Sequence, residues 1–328
     1  MRIAVLTSGG DAPGMNAAVR AVARTAFARS WEVVGIEAGY KGLLEGHFRS
    51  LGNRGVGGIL QRGGTVLGAA RSTQFATPEG QATAAKRLQK AGVEGLVVIG
   101  GEGSLTGALR LQERGVKVVG IPATIDNDVF ATDTAIGVDT ALNTALEAID
   151  RIKDTASSHQ RAHVVEVMGR RCGYLALMSG IAGGAEVVLV PEFEAKPQEI
   201  MQAFSRAWEQ GKPHFIVVAA EGAPLSAEDI HKYINDTEGA FESRLTVLGH
   251  VQRGGSPTAF DRILACRMGT AAVKALCEGV SGMMIGLQGR WMELLPLSDV
   301  VGRSRPLDPD LHEMAEVLAG FPEEISYS

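Results

Sequence analysis

Asp126 and Asp128 stand two residues apart, just after Thr124, in the segment Pro-Ala-Thr-Ile-Asp-Asn-Asp at 122–128. An alcohol attacks phosphorus poorly until a group at hydrogen-bond distance accepts its proton, and a carboxylate can do so. A neighbouring acid can then hold or orient a metal ion. The same Asp-Asn-Asp run also suits ordinary turn chemistry. Two glycine-rich turns lie upstream. In Thr7-Ser8-Gly9-Gly10-Asp11-Ala12-Pro13-Gly14, three glycines let the backbone approach a ligand closely. Free amides at the start of the following helix favour an anion. This turn is neither a P-loop nor the dinucleotide GxGxxG pattern, and an ordinary tight turn is its plain alternative. The second turn is Gly100-Gly101-Glu102-Gly103-Ser104. Here Ser104 suits a helix N-cap. Glu102 puts an acid beside the expected phosphate, where a Mg²⁺ ligand is useful; taken alone it reads equally as a solvated acid favoured by the helix dipole. The three segments together point to an enzyme that moves a phosphoryl group.

Further along, Arg161, Arg170, Arg244, His250 and Arg253 read as cations on loops that follow strands. Guanidinium forks match phosphate oxygens in pairs. Glu221 closes the run Phe215–Ala220 and suits sugar hydroxyls. Asp133, Asp139 and Asp150 read as a turn residue, a helix cap and a surface charge.

These residues need a frame to hold them. Strands are expected at Ile3–Thr7, Glu32–Ile36, Gly95–Ile99, Val116–Ile121, His163–Val167, Glu186–Val190, His214–Ala219 and Thr246–Leu248. Helical patterns fall at Asn16–Ala28, Gln81–Ala91, Ser104–Arg114, Thr140–Thr155, Gly173–Ala182, Lys196–Gln210 and Asp261–Cys277. Gly282–Leu287 and Gly289–Leu295 look extended around a turn. The alternation predicts an α/β fold of two doubly wound, mostly parallel-sheet domains, with carboxylates at the carboxyl end of a buried strand.

The 328 residues suit two domains, and 45% hydrophobic content fills real cores. A net charge of −5 with no Lys/Arg block argues against nucleic acid. No apolar run reaches the roughly 18–20 residues that cross a bilayer, and the strand-like start meets Ser8-Gly9-Gly10 too soon for a signal peptide. A cytoplasmic protein is expected. Cys172, Cys266 and Cys277 form no CxxC pair, so metal or disulfide use is not expected of them.

The motifs Ser-Gly-Gly-Asp-Ala-Pro-Gly-Met-Asn, Gly-Gly-Glu-Gly-Ser, Thr-Ile-Asp-Asn-Asp, Ser-Ser-His-Gln-Arg, Glu-Val-Met-Gly-Arg and Leu-Gly-His-Val-Gln-Arg-Gly-Gly-Ser-Pro occur in that order from residue 1 to about 290. In this the chain resembles the bacterial 6-phosphofructokinases. The resemblance implies two domains, 1–138 plus 251–303 for the nucleotide and 139–250 plus 304–328 for the sugar phosphate. It implies transfer of the γ-phosphate of Mg-ATP to the 1-hydroxyl of fructose 6-phosphate, in a homotetramer. By the same resemblance Asp126 is the general base, Thr124 positions the phosphate, and Asp128 serves the metal site beside them. Gly10 and Arg170 stabilise the moving phosphoryl. Gly10, Tyr40, Arg71, Ser72, Gly101, Glu102, Gly103 and Ser104 match the nucleotide site, with Glu102 on Mg²⁺. Met168, Gly169, Arg170, Glu221, His250 and Arg253 match the sugar-phosphate site, joined by Thr124, Asp126 and Asp128. Arg161 and Arg244 match arginines that reach it from a neighbouring subunit.

Several positions depart from the family pattern. Glu102 replaces a common Asp. Ala123, where pyrophosphate-using relatives carry Lys, matches neither pattern cleanly; Gly103 stands where they carry an acid that would repel the α-phosphate of ATP. ATP is therefore expected over pyrophosphate. Ala76 replaces an Arg that contacts nucleotide phosphates in some relatives. A catalytically weak nucleotide or sugar-phosphate binding protein, and on fold alone a dinucleotide dehydrogenase, are the other readings. Arg20, Arg24, Lys153, Glu186, Lys212 and His214 fit an anionic effector site between subunits. Asn53, Gly57, Gly58 and Pro213 replace polar contacts there, so weakened or altered control by ADP and phosphoenolpyruvate is expected.

Overall fold

Apolar, β-branched runs alternate with helical stretches from the first residues of the chain. In order come β1 (Arg2–Thr7), α1 (Met15–Phe27), β2 (Glu32–Ile36), α2 (Gly39–Glu45), β3 (Phe48–Leu51), α3 (Pro78–Lys90), β4 (Gly95–Gly100), α4 (Glu102–Gln112) and β5 (Val118–Pro122). The middle carries α5 (Val138–His159), β6 (Ala162–Val167), α6 (Tyr174–Gly183), β7 (Val187–Leu189), α7 (Pro197–Glu209), β8 (Phe215–Ala220), α8 (Ala227–Asn235) and β9 (Ser243–Val247). The chain ends through α9 (Ala259–Cys277), β10 (Met283–Gln288), β11 (Trp291–Pro296), α10 (Leu297–Val300) and α11 (Pro309–Ala319). The computed structural model describes residues 1–236 and 242–320. The last eight residues of the expected 304–328 segment thus lie outside the described residues. The chain divides into a first unit of Met1–Thr140 with Arg253–Arg305 and a second of Ala141–Gln252 with Pro306–Ser328. The division falls inside α5.

The first unit is built on a seven-stranded sheet in the order β11-β10-β5-β4-β1-β2-β3. β1, β2, β4, β5 and β10 run parallel, while β3 and β11 are antiparallel edges. Ile3, Ala4, Val5 and Leu6 are all fully buried, as are Leu96 through Ile99. Both faces are covered, so these strands read as continuous apolar runs rather than alternating ones. α1 and α9 pack closely at Gly269, where an added Cβ would meet the Ala21 Cβ at 2.7 Å.

The second unit carries a four-stranded, wholly parallel sheet in the order β7-β8-β6-β9. One face packs on α7 and α8 through Phe204, Phe215, Ile230 and Ile234. The Phe204 and Phe215 rings meet edge to face at 5.2 Å, a favoured aromatic geometry.

Several elements differ from expectation. β9 begins at Ser243, ahead of the expected Thr246, because its ladder with β6 starts there. α3 begins at Pro78, where the Thr77 hydroxyl caps the Gly80 amide at 3.1 Å. α5 runs on to His159, beyond the expected Thr155.

Candidate functional site

A cavity of about 630 Å³ opens at the carboxyl ends of β1, β4 and β5 in the first unit. This is where open α/β sheets keep ligands. Its walls include Gly10 from the first glycine turn and Gly101, Glu102, Gly103 and Ser104 from the second. Thr124, Asp126 and Asp128 enter from the loop after β5. The three segments singled out as chemical thus converge on one space.

The carboxylate loop is fixed from inside. The Ala123 amide donates to the Gly100 carbonyl at 3.0 Å and the Thr124 amide to the Ile136 carbonyl at 3.0 Å. Asn127 is buried and left-handed, at φ 52°. Its side chain donates to the Asp133 carbonyl at 3.2 Å and accepts from the Ala135 amide at 3.1 Å. Asn127 therefore makes the turn, and the acids on either side face the cavity. Thr124 Oγ1 accepts from the Asp126 amide at 3.2 Å. Burial pushes the Asp128 carboxyl above its ordinary range, and the charges of Asp126 and Glu102 push it further.

Part of the lining is aromatic. Tyr40 stacks on Phe75 with ring centroids 3.9 Å apart, and its hydroxyl donates to the Ser104 carbonyl at 2.6 Å. Burial holds that phenol far above its usual range. Arg71, Ser72 and Ala76 line the space, as do Gln81 and Arg110, which the sequence did not single out. Arg253 joins them, its Nη1 donating to the Asp11 carbonyl at 3.3 Å. It lies so close over Gly10 that an added Cβ there would sit 2.5 Å from Nη1. Gly103 faces open space, with no atom within 4 Å of an added Cβ.

Two local readings are corrected. Ser104 is not the cap of α4: the helix begins at Glu102, with extended Gly101 as N-cap and Ser104 buried in the first turn. Asp139 lies inside the first turn of α5, where it accepts from the Thr258 hydroxyl at 2.6 Å. The sequence also missed Asp261. It is fully buried and accepts from the amides of Gly137 at 2.9 Å and Thr140 at 2.8 Å, and from the Thr140 hydroxyl at 2.5 Å. Burial raises its carboxyl against these hydrogen bonds.

In the second unit the predicted residues separate into two groups. Met168, Gly169 and Arg170 follow β6, Glu221 follows β8 and His250 follows β9, all at the carboxyl edge of the sheet. Glu221 stands 4.0 Å from Arg170, and the Met168 amide donates to Gln252 at 2.8 Å. Arg161 and Arg244 do not follow strands. Arg161 precedes β6 and Arg244 is the second residue of β9, so both sit at the amino edge. Six strand residues separate the two edges, about 20 Å at 3.3 Å per residue. At the amino edge Glu242 pairs with both arginines, at 3.0 Å to Arg161 and 2.5 Å to Arg244.

The effector candidates also divide. Arg20 and Arg24 lie on α1 of the first unit, where Arg24 donates to Asn53 at 2.8 Å. Lys153, Glu186, Lys212 and His214 gather in the second. Lys212 pairs with buried Glu186 at 3.4 Å, Lys153 donates to the Gly183 carbonyl at 2.8 Å, and Ser157 meets His214 at 2.8 Å. Burial lowers the His214 ring, with Glu186 pulling the other way.

Among the described residues, no three His, Cys, Asp or Glu side chains converge as a complete metal site. None of the described helices is long and apolar enough to cross a membrane.

A family model described as Phosphofructokinase matches residues 2–276. The ATP-dependent 6-phosphofructokinase of Thermotoga neapolitana is 51% identical, over 97% of this chain and 99% of its own. The ATP-dependent 6-phosphofructokinase 1 of Thermus thermophilus is 53% identical over the same shares. Among solved structures, phosphofructokinase from Saccharomyces cerevisiae superposes with a TM-score of 0.85 at 37% identity, over 98% of this chain. This chain spans 47% of that longer one.

Proposed function

The chain belongs to the phosphofructokinase family, and from that premise we infer that it transfers the γ-phosphoryl group of ATP to the 1-hydroxyl of fructose 6-phosphate, a glycolytic kinase step. One observation carries the reading. Two glycine-rich turns and the Thr124–Asp128 loop share one cavity at the carboxyl edge of a parallel sheet. Backbone amides at such turns suit phosphate oxygens. Asp126 accepts the proton of the attacking hydroxyl. Thr124 holds that loop through the Asp126 amide and meets the transferred phosphate. Gly10 and Arg170 take the charge that develops on it. Tyr40, Arg71, Ser72, Gly101, Gly103 and Ser104 hold the nucleotide.

Three acids around one cavity, with Asp128 held against ionisation by its neighbours, call for a cation. Glu102 would hold Mg²⁺, with Asp128 beside it. When bound, Mg²⁺ neutralises charge on the phosphates.

The first unit is the nucleotide domain and the second the sugar-phosphate domain, with Met168, Gly169, Glu221 and His250 around the sugar. Arg161 and Arg244, about 20 Å from the carboxyl edge of their own sheet, serve the site of a neighbouring subunit. A homotetramer with shared active sites, working in the cytoplasm, fits this division of labour. Lys153, Glu186, Lys212 and His214, with Arg20 and Arg24, contribute to an effector site between subunits. ATP is the donor rather than pyrophosphate, because Gly103 leaves space for the α-phosphate. A coupled assay with fructose 6-phosphate at fixed Mg²⁺ compares ATP, GTP, ADP and pyrophosphate. Turnover with ATP is expected, and turnover with pyrophosphate alone reverses the choice of donor.

A further inference from the structure

We propose that His163 is the third arm of the anion cradle built by Arg161 and Arg244, and that a phosphate monoester seated there places a proton on its ring. The proposal rests on the reading that these two arginines hold a sugar phosphate.

The sheet brings the three side chains together. His163 and Arg244 are register partners on adjacent parallel strands, so they project side by side from one face. Arg161 precedes His163 by two residues, the spacing that returns a chain to the same face. Glu242 precedes Arg244 by the same spacing and bridges both guanidinium groups. On the other side, β8 presents apolar Ile216 in register with His163. The charged groups that act on the ring are Arg161 and Arg244.

His163 is 8% exposed, and its Nδ1 is buried without a hydrogen-bond partner among the described residues. A buried polar atom left unpaired is uncommon and costly. Burial keeps the ring from charging, and the two arginines add to this. The ring is therefore neutral at pH 7, with one N–H to give. A dianionic monoester reverses the field. Two positive charges balanced by one Glu242 carboxylate give a surplus of one positive charge. Adding two negative charges leaves a surplus of one negative charge, which favours the imidazolium. The charged ring has two donors, and a charge-assisted bond to phosphate is stronger than a neutral one. Uptake of a proton on binding is the thermodynamic signature of this arrangement.

Titration calorimetry of fructose 6-phosphate into the assembled enzyme, at pH 6.5 in two buffers of different ionisation enthalpy, reads that proton directly. Wild type should take up roughly half a proton per site near the ordinary histidine pKa. His163→Gln and His163→Asn should abolish most of that uptake and weaken binding about 3–10-fold. The difference in proton uptake between wild type and variant is the quantity to read. The histidine Cε1–H resonances of the unsubstituted enzyme, with and without fructose 6-phosphate, give the same answer should either variant misfold. Unchanged proton uptake in His163→Gln, while Arg244→Ala loses affinity, overturns this proposal and leaves the reading of the arginines intact. Unchanged affinity in Arg244→Ala overturns that reading and the proposal with it.

Discussion

Asp128 stands in surroundings that oppose its ionisation. Burial, Asp126 and Glu102 all raise its carboxyl. A carboxyl raised in the folded state binds its proton more tightly there than in the unfolded chain. Stability therefore falls as pH rises from about 4, the ordinary Asp value, towards the raised folded value. Asp128→Asn should raise the melting temperature at pH 7, with the gain shrinking as pH approaches 4. Calorimetry at the two pH values checks this, and an equal gain at both would separate it from ionisation. Gly103 makes a second residue-level case. An added Cβ meets no atom within 4 Å, so Gly103→Asp should fold normally. Its carboxylate would face the nucleotide phosphates, and KM for ATP should rise about tenfold or more through like-charge repulsion. Steady-state kinetics with a melting curve separates this from a folding defect. The acids and glycines of the cavity were legible in the sequence because each motif is local. Asn127 and Asp261 were not. Asn127 reads as one more polar residue between two acids, and Asp261 finds its partners 121 and 124 residues away.

Elements were legible where burial dictates their composition. Fully buried strands such as β1 and β4 read as apolar runs, and Glu32–Ile36 was placed at its observed bounds. The short α2 and β3, and the helices α8 and α11, were not read. α2 has no capping side chain and ends at left-handed Gly46, so its few residues carry no periodic signal. α8 was legible in retrospect from Ser226, whose hydroxyl caps the Asp229 amide at 3.1 Å. The junction of α5 with α9 depends on a single side chain. Asp261 serves two amides and a hydroxyl across that junction, while Thr258 caps α9 and reaches Asp139. Asp261→Ala removes the acceptor of three buried donors and should cost about 2–3 kcal/mol. Asp261→Asn, which keeps an acceptor, should cost less. Urea unfolding of both variants tests the order, and equal losses would mean that volume rather than hydrogen bonding is at stake.

At the scale of the molecule, the α/β class follows from alternation, but the path of the chain between units does not. The division falls inside α5, a helix of 22 residues with no composition break to mark it. Effector control belongs to this scale too. Lys212, Lys153 and His214 already have partners in Glu186, the Gly183 carbonyl and Ser157, and Arg24 is engaged by Asn53. An anion must break these contacts before it gains its own, so its differential binding is small. Inhibition by phosphoenolpyruvate should be weak, and a steep inhibition curve against fructose 6-phosphate would overturn this. The second sheet makes a sharper demand. Its amino edge, with Arg161 and Arg244, lies about 20 Å from its carboxyl edge, with Arg170, Glu221 and His250. One bound sugar phosphate cannot meet both edges of the same sheet. If the arginines serve a neighbour, an Arg161→Ala/Arg244→Ala chain lacks only what it lends, and an Asp126→Ser chain lacks only its own base. Each alone should turn over poorly, with a loss of roughly 10²–10⁴-fold for Asp126→Ser. Co-expressed, the two should recover roughly a quarter of wild-type activity, because symmetric pairing by chance joins one sound base to one sound pair of arginines in that share of sites. Activity of the mixture no greater than the mean of the two parents would show that each chain completes its own site.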